Sequence, residues 1–153
     1  MFLKATTAAG FIAVLLAVST MTFAQGTEAG DIDDLDLREA NVTAVEIERT
    51  GGNRYRFAVT LIHDDAGEDG YADHWQVEAP DGSRLGRREL LHAHGTQEFT
   101  RSETIDMPRG IDEVVVRGHD QTHGYGGQAA VVDLESGEVR LIRQGPEPRD
   151  LPD

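Results

Sequence analysis

The sequence predicts an all-β protein: an antiparallel immunoglobulin- or fibronectin-like β-sandwich of about seven to eight strands, preceded by a signal peptide. Three observations predict it. Short runs with two-residue apolar alternation recur from residue 42 to residue 143. Compact turn signals such as Thr50-Gly51-Gly52-Asn53, Pro80-Asp81-Gly82-Ser83 and Glu135-Ser136-Gly137 separate them. No stretch between them carries a convincing helical apolar stripe.

The first strand covers residues 42–49, where Val45 and Ile47 alternate with Glu46 and Glu48. Residues 55–62 are the clearest strand: Tyr55, Phe57, Val59 and Leu61 face one way, and Arg56, Ala58 and Thr60 the other. Strand three, residues 74–79, turns Trp75, Val77 and Ala79 inward. An inward Trp there suits an immunoglobulin-like core without the disulfide of antibody domains. Strand four is 84–91, reached by a tight hairpin. Strand five, 98–107, alternates imperfectly, because Arg101 and Glu103 share parity with Phe99 and Ile105. Strand six is 113–117, strand seven 129–134, and residues 139–143 supply an eighth. An open-ended barrel is the alternative closure.

The ends read differently. Residues 1–24 form a secretory signal: Lys4, an apolar run after Gly10, and Thr22-Phe23-Ala24 as the cleavage site. That run is too short and too weakly flanked for a membrane anchor, and a retained N-terminal anchor is the alternative reading. Residues 25–40 are an acidic, flexible leader, with at most one helical turn between 33 and 38. Residues 41–144 are the β-sandwich domain and 145–153 a proline-rich tail. The expectation is a periplasmic or secreted protein with no membrane association after signal cleavage.

There is no cysteine. Lipid attachment through a lipobox cysteine is therefore not expected, and disulfides cannot replace a core. Blue-copper, zinc-thiolate and iron–sulfur centres all need thiolates and drop out. The formal net charge of −14 makes nucleic acid an unsuitable partner. Solubility or adaptation to salt accounts for that bulk charge, and a periplasmic protein is the partner class that follows.

The chemistry concentrates in six histidines: His63, His74, His92, His94, His119 and His123. Antiparallel strands place successive connections at alternating ends of a sandwich. The connections at 50–53, 80–83, 108–111 and 135–137 are tight and lack histidine. Those at 63–73, 92–97 and 118–128 are longer, and with His74 they hold every histidine. Loops on a rigid scaffold are where binding residues gather. His92 and His94 project from one face of an extended chain. His119 and His123 have a spacing that can bridge one ion. These four lead the candidate ligands, followed by His74 and then His63, with Asp73 and Asp120 as groups that orient imidazoles. A nitrogen-rich site without thiolates suits copper or zinc. Each piece alone is also what ordinary surface looks like. A single His-x-His is common in solvated loops, and the aspartates of 64–73 lack the ligand spacing of a calcium loop.

Residues 71–134 resemble a family of small exported prokaryotic proteins. The resemblance rests on Tyr71-Ala72-Asp73-His74-Trp75, Ala79-Pro80-Asp81-Gly82, Leu90-Leu91-His92-Ala93-His94, Phe99-Thr100-Arg101-Ser102 and His123-Gly124-Tyr125-Gly126-Gly127. It implies one coherent exported domain and assigns no catalytic residue.

Three functions fit. The first is an exported protein that binds a divalent transition metal through the polar histidines. The second is a module that recognises a protein, peptide or glycan with the same loops, Tyr125 stacking on the ligand. The third is a metal-dependent hydrolase, for which no substrate is indicated and no nucleophile elbow, phosphate loop or dinucleotide fingerprint exists.

Overall fold

Two-residue alternation over a chain with no helical stripe leaves stacked sheets as the way to bury one face of each strand. The computed structural model describes residues 32–65 and 67–143. The expected signal peptide and proline-rich tail lie outside these residues. A 3-10 turn at Ile32–Asp34 precedes nine strands among the described residues: β1 (Asn41–Gly51), β2 (Arg54–Ile62), β3 (Ala72–Glu78), β4 (Arg84–Glu89), β5 (Phe99–Asp106), β6 (Glu113–Asp120), β7 (Gly124–Tyr125), β8 (Gln128–Asp133) and β9 (Val139–Arg143). They form two antiparallel sheets, β1-β2-β5 and β4-β3-β6-β8-β9, with β7 pairing on β6. No described helix is long and apolar enough to cross a membrane.

One core joins the sheets. Val45, Phe57, Val59, Leu61 and Ile105 from the first meet Trp75, Val77, Val114, Val116, Ala130 and Val132 from the second. Trp75 and Phe57 are fully buried, so either ring truncated to Ala would cost about 3–5 kcal/mol. Gln128 ties the sheets together as well, its Nε2 donating to the Val42 carbonyl at 2.9 Å.

The uneven alternation of β5 has a positional cause. It is the edge strand of its sheet and lies beside β4, the edge of the other. A Cβ on Gly86 of β4 would strike the Ile105 side chain at 2.6 Å. Arg88 of β4 reaches Glu103 of β5 at 3.4 Å. Arg101 and Glu103 thus stand along an open seam between the sheets.

Residues 36–40, expected within a flexible leader, pack against the domain. Ala40 is fully buried, the Leu37 carbonyl accepts the Asp64 amide at 2.8 Å, and the Asn41 side chain donates to the Asp36 and Glu39 carbonyls. Gly118 makes room for this segment, because a Cβ there would run into the Ala40 carbonyl. Strand β6 consequently continues through Gly118 to Asp120, and His119 lies on a strand, beyond the expected strand end at residue 117.

Candidate functional site

The three histidine-bearing connections lie side by side at one end of the sheets. Asp65 forms an isolated bridge with Gly95, the His94 amide donates to Asp65 Oδ2 at 2.9 Å, and the Gln121 amide donates to the Tyr71 carbonyl at 3.2 Å. Within this end the histidines separate into groups, and five of the six lie against an aspartate.

Asp65 serves His63 and His94. His63 is buried, with Nδ1 against Asp65 Oδ1 and Nε2 3.0 Å from the Arg38 carbonyl. Both partners only accept, so the ring donates twice, as an imidazolium. Burial works to lower its pKa, but Asp65, Asp120 and the Arg38 carbonyl outweigh it and the net shift is upward. Asp65 moves the other way. Burial would raise it, yet His63 and the amides of Ala72 and His94 hold it below the usual carboxylate range. His94 stacks on Phe99 with centroids 3.9 Å apart, and burial, with Arg101 and His92 nearby, lowers its pKa. Exposed His92 lies 4.6 Å from His94, ring centre to ring centre.

Asp120 is fully buried at the end of β6. Its Oδ1 accepts the amides of Thr122 and His123 at 2.8 and 2.6 Å, and His123 Nδ1 lies 3.4 Å away. His123 itself is exposed. His119 and His123 therefore lean on different aspartates.

Asp73 makes the third group. Asp73 follows Ala72 at the start of β3, whose outward positions are His74, Gln76 and Glu78. Cross-strand pairing of His74 with His119 brings the two imidazoles together, stacked with centroids 4.2 Å apart. Asp73 Oδ1 lies 2.8 Å from His74 Nδ1 and 2.6 Å from His119 Nδ1. Among the described residues, this is the one set of three His, Asp or Glu side chains whose ligand atoms all fall within 4.8 Å of one another. Burial pushes the His74 pKa down to about 4, with the neighbouring His119 adding to the effect. That shift favours the neutral ring, which can offer a lone pair, while the Asp73 carboxylate works against it.

The donor set fits an ion such as zinc or copper(II): two imidazole nitrogens and one carboxylate oxygen. Tetrahedral ligands about 2.0–2.1 Å from zinc stand about 3.3 Å apart. The Asp73 oxygen sits closer than that to each imidazole nitrogen, at hydrogen-bond distance, so binding requires it to shift outward by roughly half an ångström. Asp73, with a side chain 26% exposed, is free to make that shift. Three protein ligands would leave a coordination position open.

Tyr125 lies beside this group because β7 pairs with β6 and sets it opposite His119. Its oxygen is 2.7 Å from His74 Nε2, its ring meets both imidazoles edge-on, and Arg117 sits 4.7 Å over its face. Gln76, Glu78 and Arg117, all buried behind it, are residues that sequence reasoning missed. Their one signal is that the outward face of β3 reads His-Gln-Glu with no small solvent-facing residue. Alternation alone assigns such a face to water.

The comparisons with known proteins add a relative. The chain is 61% identical over 138 residues to a protein described as "Putative lipoprotein" from Halomicrobium mukohataei, an alignment covering 86% of this chain and 69% of that protein. No family model matches the chain, and no solved structure matches it.

Proposed function

The chain belongs to the same family as that Halomicrobium mukohataei protein, and from this premise we propose that it is an exported protein that holds a divalent transition metal, copper or zinc. The relative's description as a lipoprotein supports export. The 153 residues contain no cysteine, so they hold no thiol to carry a lipid. The carrying observation is the convergence of Asp73, His74 and His119 at the histidine-rich end. We assign these three as ligands, with Tyr125 supporting His74 from behind. Metal carriage, storage or sensing is the role such a site suits. We also read the strand order as immunoglobulin-like: β1-β2-β5 follows strands A-B-E and β3-β6-β8 follows C-F-G, with β4 and β9 flanking.

Equilibrium dialysis with metal analysis tests this. One equivalent of zinc or copper should remain with the wild type and be lost from His119→Ala, with far-UV circular dichroism checking that the variant is folded. Replacing His92 and His123 together should leave retention unchanged. A wild type that retains no metal, or a His119→Ala variant that retains it equally, defeats the assignment.

A metal-free binding module is the second reading. A cleft of 380 Å³ beside His92 and His94 supports it; Arg101 lines the cleft together with the ion pairs Arg87–Glu89 and Arg88–Glu103, a polar surface suited to a peptide or glycan. Binding of a glycan that persists in chelator and after His119→Ala would favour this reading over the first.

A further inference from the structure

The second sheet is buried on both of its faces. Val114, Val116, Ala130 and Val132 point into the core. Their alternates Val115, Ala129 and Val131 lie outside that core, on the opposite face, yet are 3%, 2% and 2% exposed. Pairing makes this a continuous strip, with Val115 opposite both Glu78 and Val131, and Ala129 opposite Ile142. Gln76, Glu78 and Arg117 share the face and are buried as well. An antiparallel sheet packed on one side ordinarily shows water on the other, so a face this dry needs a cover. Among the described residues the strands make two sheets, and the first sits on the core side. The 3-10 turn at Ile32–Asp34 buries none of its own residues. Tyr125 reaches Arg117 at one end of the face.

The remaining stretches of chain differ in their fitness for that place. Residues 1–24 are the expected signal and leave on export. Residues 25–31 carry no apolar side chain larger than alanine. Residues 144–153 carry Leu151 with Pro146, Pro148 and Pro152. They also follow directly on β9, the edge of this sheet, whose Ile142 lies on the same face. A proline-rich chain extends about 3.1 Å per residue, so this stretch reaches roughly 30 Å. The crossing from β9 over β8 and β6 to β3 is three strand spacings, about 14 Å. Proline brings no amide donor that an apolar surface would leave unpaired. Charge agrees too. On the β3–β4 side of the face, Arg84, Arg87 and Arg117 stand among Glu78 and Glu89, a positive balance in a chain of net charge −14. Residues 144–153 bring Glu147, Asp150 and Asp153 against Arg149.

We propose that residues 144–153 form a strap across the outward face of β9, β8 and β6, with Leu151 seated on Val115 and Val131 and the acidic residues turned toward the arginines beside β3. The strap occupies the face that would otherwise offer a strip of valines to another protein. It also covers the buried row of Gln76, Glu78 and Arg117 behind Tyr125, and so keeps water from the back of the histidine-rich end. The strap stands whether or not Asp73, His74 and His119 hold a metal.

The chain has no cysteine, so a nitroxide attached through Asp153→Cys marks a single point. Methyl NMR of the labelled protein, compared with its reduced, diamagnetic form, reads which face the label visits. Val115, Val131 and Ile142 should lose intensity, while Ala44 and Ala58, on the outer face of the first sheet, keep theirs. Adding Leu151→Asp to the labelled chain should abolish that loss, with far-UV circular dichroism checking the fold. Equal loss on both faces, or none on either, overturns the strap. So does a Leu151→Asp variant whose pattern matches the parent. A label at Gln25→Cys that bleaches Val115 and Val131 where the label at Asp153→Cys does not would give the face to the leader and overturn the assignment equally.

Discussion

His63 shows how little a histidine's position in the chain says about its work. It follows β2 at the histidine-rich end, yet its two nitrogens are committed to Asp65 and the Arg38 carbonyl, with Asp64 and Asp120 also facing Nε2 at 3.6 and 3.9 Å. Breaking a buried pair strands the remaining charge, which costs about 3–5 kcal/mol; His63→Gln should lose on that order in urea denaturation. The pH dependence has a definite sign. His63 is raised above its unfolded value of about 6.5, so its contribution is complete below that value and fades as pH rises through the folded pKa. Asp65 is depressed, so its contribution is present above about pH 3.9 and fades as pH falls through its folded pKa. Lowered His94 opposes His63, favouring folding as pH rises toward 6.5. The wild-type-minus-variant difference isolates His63: it should shrink between pH 6 and pH 9. A gap that is constant or widens over that range would contradict the imidazolium assignment.

At the scale of elements, the short strand β7 and the turn before it owe their position to Asp120. One carboxylate oxygen holds two successive amides, those of Thr122 and His123, in a closed turn at the end of β6. Charge-assisted bonds of this kind, and the burial of what remains, set a cost of about 2–4 kcal/mol for Asp120→Ala. Asp120→Asn keeps an acceptor oxygen and should cost less. Amide exchange would register the difference locally, Thr122 and His123 losing protection in the Ala variant before the β2 and β3 amides do. Uniform loss across both sheets would show instead that Asp120 supports the whole domain. The eight expected runs correspond to β1–β6, β8 and β9, because two-residue alternation and turn residues are local signals. Strand β7 and the last turn of β6 were illegible for a physical reason. Gly118, Gly124, Gly126 and Gly127 look like loop, whereas Gly118 is demanded by Ala40 across the interface, and Gly127 by a positive φ of 67° and the Asn41 side chain.

The whole molecule carries a formal charge of −14, and self-repulsion of that size opposes compaction. Raising NaCl from 0.05 to 1 M shortens the screening length from well over 10 Å to about 3 Å. Stability should rise with it. A gain of about 1 kcal/mol would appear as a Tm increase of roughly 3–5 °C, and a Tm that stays flat or falls with salt would show that the acidic groups are already compensated in the fold. By itself the sequence determined an all-β chain, its strand parities, its lack of thiol chemistry and the gathering of histidines in alternate connections. Those properties follow from period, residue type and chain reversal, which are read along the chain. Only the tertiary structure decided which histidines meet. Pairing of β3 with β6 sets His74 against His119 with Asp73 between them, the docked segment at residues 36–40 commits His63 to a structural ion pair, and β7 brings Tyr125 over a buried polar row. Each of these is a contact between residues at least 25 positions apart or on paired strands, and no local pattern encodes which of several similar side chains such a contact will select.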